Sequence, residues 1–242
     1  MDALVFAAGR GTRLRPHTDE TPKPLLEVGG EPLVAHCLRA VVDAGVERIG
    51  LVVGYRSELI VDEFGDAFEG VPIVYAHQRD REGLAHAVLR GVDTLGADSL
   101  ESVLTVNGDN VFDCDLLPLV ETHRDPGVDG TVLLDRVSRN EAETAAVCDL
   151  APDGTIRKLE STTADPPETA YIAAGAQTHG SELIDACREI DRGESGEYEL
   201  ADALQSLVDD GKRYVGVESP GWHLNVNTPA DLERAREHFR GA

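Results

Sequence analysis

Lysine is nearly missing from this 242-residue chain. Only Lys23, Lys158 and Lys212 stand among its 22 basic residues, against 45 Asp and Glu, for a formal charge of −23. A field of that sign repels phosphate backbones and excludes generic DNA or RNA binding. Its self-repulsion burdens the compact state unless salt screens it, so the composition points to a halophilic host. Long apolar runs are missing as well. Those at 4–8 and 49–53 are five residues long, where a bilayer helix needs about 20, so no membrane association is expected. Asp2 and an apolar run that leads straight into glycine do not read as a secretory signal. The four cysteines, at 37, 114, 148 and 187, form no CxxC pair. That argues against a metal cluster or a disulfide framework and for a reduced, cytoplasmic protein. There is no GxSxG elbow and no Cys–His signature, which removes the common routes to a covalent nucleophile.

What is present is a 41% hydrophobic content, enough for a packed core, arranged in alternating strand and helix patterns. Residues 1–7 are strand-like. Residues 32–44 are apolar at 33, 34, 38, 41 and 42, with Pro32 at the start and Gly45 just after, which reads as a helix. Strands at 47–53, 71–75 and 102–106 alternate with helices at 57–64 and 83–95. This rhythm predicts an α/β, Rossmann-like, doubly wound and mostly parallel sheet with helices on both faces. Further on, strands are expected at 130–137, 144–150, 156–160, 171–178, 213–217 and 223–226, with helices at 181–190, 198–209 and 228–239. The turn signal APDGT at 151–155 predicts a hairpin. Thr228, Pro229 and Asp231 predict a capped helix start. No linker or repeat interrupts the pattern, so 1–242 reads as one domain with a regular half, 1–115, and a more mixed half, 116–242. Ligands in such sheets bind beyond the carboxyl ends of strands, which singles out the loop after the first strand and residues 107–110.

That first loop lies in FAAGRGTRLRPHTDETPKP, residues 6–24, which gathers three arginines and a lysine around two glycines. A Walker-type phosphate loop is absent, and the dinucleotide fingerprint GxGxxG fails because its third glycine position is Leu14. Gly9 and Gly11 still let the backbone come close to a ligand and adopt positive φ. Successive N–H groups there form an anion nest, to which Arg13 and Lys23 add full charges. A polyphosphate suits this loop. The alternative is a surface loop whose arginines pair with neighbouring acids.

The longer stretch FAAGRGTRLRPHTDETPKPLLEVGGEPL resembles the N-terminal signature of the sugar-1-phosphate nucleotidylyltransferases, which runs GxGTRLxP, a short gap, then PKP. By that resemblance the loop of Ala8, Gly9, Gly11 and Thr12 wraps a triphosphate. Arg13 contacts its β- and γ-phosphates and Lys23 sits against the reacting phosphates, so these two are the expected catalytic residues. Arg10 and Arg15 fall at variable positions and are expected to be solvated. In QRDREGLAHA, 78–87, Gln78 and Gly83 match the family's base-reading positions. An amide offers both donor and acceptor to a base edge, and the glycine lets the base lie flat. His86 is expected to be packed or capped locally. In NGDNVF, 107–112, Gly108 falls at the nucleotide site and Asp109 at the family's Mg²⁺ ligand, while Asp113 and Asp115 are expected as solvated or capping acids. The family's second metal Asp lies late in the chain. Aligning WHLNVNTP on Thr228 puts Asn225 there, an oxygen ligand without the charge.

The resemblance is strong over 1–115 and patchy afterwards. The family's Tyr-Gly, which packs on the sugar, is replaced by Ala145-Ala146, and its Glu-Lys-Pro by Glu160-Ser161-Thr162. Glu160 survives but the phosphate-holding lysine does not. That loss forfeits a charge-assisted contact of about 1.5–3 kcal/mol unless Lys158, Arg157 or Arg192 replaces it. Gly175 matches the family's strand glycine and Glu197 the first Glu of GE-x-E. With Asn110 and Ala146 they complete the expected sugar-phosphate site.

The activity implied is transfer of a nucleotidyl group from an NTP, UTP or dTTP, to a sugar 1-phosphate, with Mg²⁺ as cofactor and pyrophosphate as leaving group. The altered acceptor half leaves open a CTP-dependent transferase for a non-sugar phosphate, a GTP-dependent transferase serving a cofactor, or a non-catalytic nucleotide-binding paralogue. A homo-oligomer also stays open. No hexapeptide repeat occurs, so no acetyltransferase activity is expected. The charge makes a prediction of its own: thermal midpoint and activity should rise together as KCl increases from dilute buffer to molar concentration. Equal stability and activity in dilute buffer would contradict the halophilic reading.

Overall fold

A computed structural model describes residues 1–96, 100–143, 145–160, 165–193, 195–218 and 221–240. In chain order its elements are β1 (Asp2–Ala7), β2 (Glu27–Val28), β3 (Glu31–Pro32), α1 (Leu33–Asp43), β4 (Ile49–Val53), α2 (Ser57–Phe64), β5 (Ala67–Phe68), β6 (Val71–His77), α3 (Leu84–Leu95), β7 (Ser102–Asn107) and β8 (Asn110–Cys114). Then follow α4 (Leu117–His123), β9 (Gly130–Ser138), α5 (Arg139–Ala142), β10 (Val147–Leu150), β11 (Ile156–Glu160), β12 (Thr169–Gly180), α6 (Glu182–Glu189), α7 (Leu200–Asp209), β13 (Tyr214–Glu218), β14 (Gly221–Asn225) and α8 (Pro229–Phe239).

The nucleus of the sheet is β7-β1-β4-β6, all parallel. β1 is apolar at five of its six positions because it is covered on both faces. Leu4 and Phe6 point into one core layer, and Ala3, Val5 and Ala7 into the other. α3, α6 and α7 cover the first face; α1, α2 and α4 cover the second. The chain winds outward from β1 through β4 to β6, then returns with β7 to the other side of β1. That reversal opens a crevice at the carboxyl ends of β1 and β7.

The second half joins the same sheet through one long strand. β12 runs antiparallel to β7 over Ala176–Gly180 and to β9 along most of its length, with a register shift between Ala173 and Gln177. Gly175 sits in that shift at φ +82°, a conformation that only glycine adopts without strain. β13 adds to β9 in parallel, and β10 and β11 form the hairpin that APDGT predicts. The strand expected at 144–150 is observed as β10; Thr144 lies outside the described residues.

The late strand expected at 223–226 is observed as β14, which pairs with β8 in a two-stranded ribbon separate from the main sheet. β8 itself, at 110–114, was not expected as a strand. Its Val111 and Phe112 are buried while Asp113 is exposed, a run too short to show a period. The ribbon carries α8, whose start is capped as its sequence predicts: Asp231 N donates to Thr228 Oγ1 at 3.2 Å, and Thr228 N donates to Asp231 Oδ2 at 2.8 Å.

A titratable side chain is sealed inside this sheet. His179 of β12 is fully buried, with Nε2 3.2 Å from Thr105 Oγ1 and Nδ1 3.2 Å from the Tyr214 hydroxyl. Burial pushes its pKa from 6.5 down to about 3, with the nearby His123 adding to the shift. The folded ring therefore stays neutral where the unfolded one takes up a proton. Above pH 6.5 the group contributes nothing to pH dependence. As pH falls from 6.5 towards 3, the unfolded state binds the extra proton and stability is lost. His179→Gln should flatten this segment: denaturant titrations of wild type against variant should diverge by up to about 1.4 kcal/mol per pH unit below pH 6.5 and run parallel above it. Parallel curves throughout would refute the assignment.

Candidate active site

A cleft of about 580 Å³ opens where the crevice was anticipated, at the carboxyl ends of β1, β6 and β7. Its floor is the close approach of β1 and β7. Gly108 N donates to Phe6 O at 3.0 Å, and a Cβ at Gly108 would lie 2.6 Å from that carbonyl, so no larger residue fits.

The first wall is the loop from Gly9 to Arg13. Gly11 adopts φ +64°, and a Cβ there would meet Lys23 Cβ at 2.8 Å. Its carbonyl accepts from Leu14 N at 2.9 Å and from Thr18 Oγ1 at 2.8 Å, which fixes the turn. Leu14, fully buried against α8 and the β2–β3 hairpin, anchors the loop from below. Lys23 is 7% exposed. Its ammonium donates to Asp109 Oδ2 at 2.8 Å and to Asn227 Oδ1 at 3.0 Å. Arg13 Nη2 donates to the same Asn227 oxygen at 3.0 Å. Arg10, expected to be solvated, also lines the cleft, its guanidinium 5.1 Å from the centre of the Tyr55 ring. Arg15 is exposed and pairs with Asp19 at 3.4 Å.

The second wall is built by Gln78, Arg81, Gly83, Leu84 and Ala87, with Glu197 across from them in sequence. Gly83 has φ +112° and packs against the backbone of Tyr198. Tyr198 N donates to Glu82 O at 2.6 Å and Ala85 N donates to Tyr198 O at 3.0 Å. Backbone bonds thus stitch the loop before α3 to the segment before α7.

Of the residues singled out in the sequence, Ala8, Gly9, Gly11, Thr12, Arg13, Lys23, Gln78, Gly83, Gly108, Asp109 and Glu197 line the cleft. Asn110, Ala146, Glu160, Gly175 and Asn225 do not. Asn110 is 1% exposed; its Nδ2 donates to Asn107 O at 3.3 Å and to Asp109 Oδ1 at 3.4 Å, so it supports Asp109 from below. A Cβ at Gly175 would lie 2.5 Å from that Nδ2, so the glycine makes room for Asn110. Ala146 O accepts from Ala173 N within the sheet. Glu160 pairs with Lys158 at 2.5 Å, and Arg192 pairs with Glu82. Ser161 lies outside the described residues. Asp113 pairs with His238 at 2.7 Å, and Asp115 Oδ1 accepts from Leu117 N at 2.8 Å.

Asn227, which the sequence reading did not single out, lines the cleft. Asn225 stands beside it, its Oδ1 accepting from Asn227 Nδ2 at 2.9 Å. That bond turns the Asn227 oxygen toward Arg13 and Lys23. The available signal was positional: Asn227 is the last residue before the Thr228 cap, where β14 hands over to α8. Among the described residues no group of three His, Cys, Asp or Glu forms a metal cage. Asp109 Oδ2 and Asn227 Oδ1 nonetheless converge on one cation position, now filled by the Lys23 ammonium. Two hard oxygens so placed suit a hard divalent ion that takes its other ligands from substrate and water. Cys37, the nearest thiol, is fully buried and donates to Asn110 O at 2.9 Å; burial raises its pKa well above the ordinary thiol range, so it is no nucleophile.

Comparison with known proteins fits this geometry. The model of the nucleotidyl transferase family matches residues 2–240. The chain is 35% identical over 240 residues to UTP–glucose-1-phosphate uridylyltransferase AglF of Haloferax volcanii, covering 99% of this chain and 97% of that protein. It is 32% identical over 240 residues to the bifunctional protein GlmU of Methanococcus maripaludis, and there it spans 54% of the relative's length. The solved UDP-glucose pyrophosphorylase complexed with UDP-glucose shares the fold at a TM-score of 0.87 and 20% identity, covering 99% of this chain and 98% of that one.

The loop geometry predicts that Gly11→Ala weakens binding of inorganic tripolyphosphate about tenfold, since a left-handed Ala costs roughly 1–2 kcal/mol and its methyl displaces Lys23. Calorimetry would measure the affinity and circular dichroism the intact fold. Unchanged affinity would mean that the loop does not hold the anion.

Proposed function

Because the chain belongs to the nucleotidyl transferase family, we propose that it makes a nucleoside-diphosphate sugar and pyrophosphate from UTP or dTTP and a sugar 1-phosphate. The observation that carries this reading is the convergence of Arg13, Lys23, Asp109 and Asn227 on one point of the cleft. It supplies cations and hard oxygens where a triphosphate would lie, and among the described residues no Ser, Cys or His lines the cleft. AglF, 97% of whose length the match covers, carries UTP and glucose 1-phosphate in its name.

An oxygen of the sugar phosphate attacks the α-phosphorus of the NTP in line. The new oxygen–phosphorus bond forms as the bond to the bridging α–β oxygen breaks, and its electron pair leaves with pyrophosphate. The nucleophile is already anionic, so no general base is required, and the protein's work is positioning and charge neutralisation. Arg13 and the amides of 9–12 hold the β- and γ-phosphates. Lys23, released from its present partners, faces the α-phosphate. Asp109 and Asn227 would hold Mg²⁺, which supplies further neutralisation of the phosphate oxygens when bound. Gln78 takes the base edge, and Glu197 faces the acceptor's hydroxyls. All cleft-lining residues except Glu197 and Asn227 come from 1–115, which supports a nucleotide-binding first half and an acceptor-binding second half.

Pyrophosphate release in molar KCl with Mg²⁺, crossing UTP, dTTP, CTP and GTP with glucose, N-acetylglucosamine, mannose and galactose 1-phosphates, tests the proposal. One productive pair would name both substrates. Nucleotide binding without release in any pair would overturn the transferase and leave a sensor. With the productive pair, Lys23→Ala and Asp109→Ala should each lower turnover by about 10²-fold or more with circular dichroism unchanged. Near wild-type turnover in either would remove that residue from the mechanism.

A further inference from the structure

Gln78 is only 5% exposed, and its amide is held from behind. Nε2 donates to the Gly83 carbonyl at 3.0 Å. A carbonyl only accepts, so the amide atom facing it has to be the NH₂. The same nitrogen lies 3.2 Å from His86 Nδ1. That contact is a hydrogen bond only if Nδ1 carries no proton, which places the proton of the neutral ring on Nε2. Nε2 in turn faces the Glu82 carboxylate at 3.9 Å, the side on which a proton is welcome. Glu82 is itself held by Arg192, whose guanidinium lies 4.6 Å from the centre of the Tyr198 ring and donates to Gly196 O at 2.7 Å. Both amide hydrogens of Gln78 are therefore committed, and its oxygen is the atom left for the cleft.

We infer that His86 is a positioning residue: it locks the Gln78 amide with its oxygen toward the base, and so selects uracil and thymine over cytosine. The inference rests on the reading above, in which Gln78 meets the base edge. Uracil and thymine carry a hydrogen on ring N3, flanked by two carbonyls; cytosine carries a lone pair there. A freely turning glutamine amide serves either edge, because it offers a donor and an acceptor. A locked one presents an acceptor alone, so cytosine would bring two lone pairs together in a buried contact. Glu82 and Arg192 set the tautomer of His86, and His86 sets the amide. The selectivity thus comes from a row of side chains of which only Gln78 lines the cleft.

The test compares UTP and CTP, with glucose 1-phosphate as acceptor, in wild type, His86→Phe, His86→Asn and Gln78→Ala. Steady-state kinetics would be run alongside calorimetric binding of each nucleotide. Phe keeps a ring in place but removes the acceptor at Nδ1. The preference for UTP should fall on the order of tenfold or more, through the KM and Kd of the nucleotide, while the KM for glucose 1-phosphate stays put. Asn can place an amide oxygen where Nδ1 stands and should keep most of the preference. A preference unchanged in His86→Phe, or lost equally in Phe and Asn, overturns the inference. Should His86→Phe fail to fold, Glu82→Leu takes its place: it frees the ring to change tautomer and should lower the preference, and an unaltered ratio refutes the lock. An unchanged nucleotide Kd in Gln78→Ala overturns the base assignment along with it, whereas an effect in Gln78→Ala and none in His86→Phe overturns the lock alone.

Discussion

A buried ammonium holds the site together. Lys23 sits on a short turn near the N-terminus, Asp109 at the end of β7, and Asn227 where β14 meets α8, so three distant parts of the chain meet at one nitrogen. An uncompensated buried charge is costly, and breaking such a contact by removing one partner is worse than never having made it. The need to satisfy Lys23 therefore constrains where the β8–β14 ribbon and α8 dock on the sheet. The same contact is suited to exchange. Each partner oxygen is of a kind that a divalent cation takes, and the ammonium is of a kind that a phosphate takes. A bound nucleotide can replace protein–protein contacts with protein–ligand ones without leaving any of the three groups bare.

This arrangement explains how a chain with a charge of −23 can accept a polyanion. Arg10, Arg13, Lys23 and Arg81 line the cleft against only Asp109 and Glu197, so the local sign is reversed. Low-dielectric walls keep that local potential from being averaged away by the surface acids, and salt screens the surface more than the cleft. One of only three lysines is used here, buried, while the rest of the basic surface is almost all arginine. A lysine head is a compact point charge that moves between partners, whereas a guanidinium prefers a fixed planar contact. That difference fits the central cation being a lysine and the flanking one, Arg13, an arginine.

The parts of the site that are legible in the sequence are those carried by a single stretch of chain. Gly9 to Arg13 and Lys23 belong to one loop, and Gly11 and Gly108 are glycines for reasons of backbone conformation and close approach that a spacing can announce. Asp109 follows an apolar strand, where a doubly wound sheet places ligands. Asn227 was not legible, because its role depends on the angle at which β14 leaves β8, and two asparagines two residues apart offer no local ground for choosing between them. β8 was hidden because its buried residues, Asn110 to Phe112, are consecutive and covered on both faces, so five residues show no period. Arg10 is exposed, as expected, while its guanidinium reaches over Tyr55, two residues beyond β4. Asn110 and Gly175, which the resemblance assigns to the sugar-phosphate site, pack on each other beneath Asp109.

The hardest feature to read was the joint between the two halves, because it is made mostly of backbone. Gly83 lies against Tyr198 with no Cβ to keep them apart, and two backbone hydrogen bonds, from Tyr198 N and Ala85 N, close the seam. Arg192 then ties Glu82 to the segment that carries Glu197. The consequence for function is geometric. In the proposed function the wall carrying Gln78 meets the base and Glu197 faces the acceptor, and these contacts join the two. Under that proposal the same seam aligns the two substrates, and the alignment needs no residue that touches both.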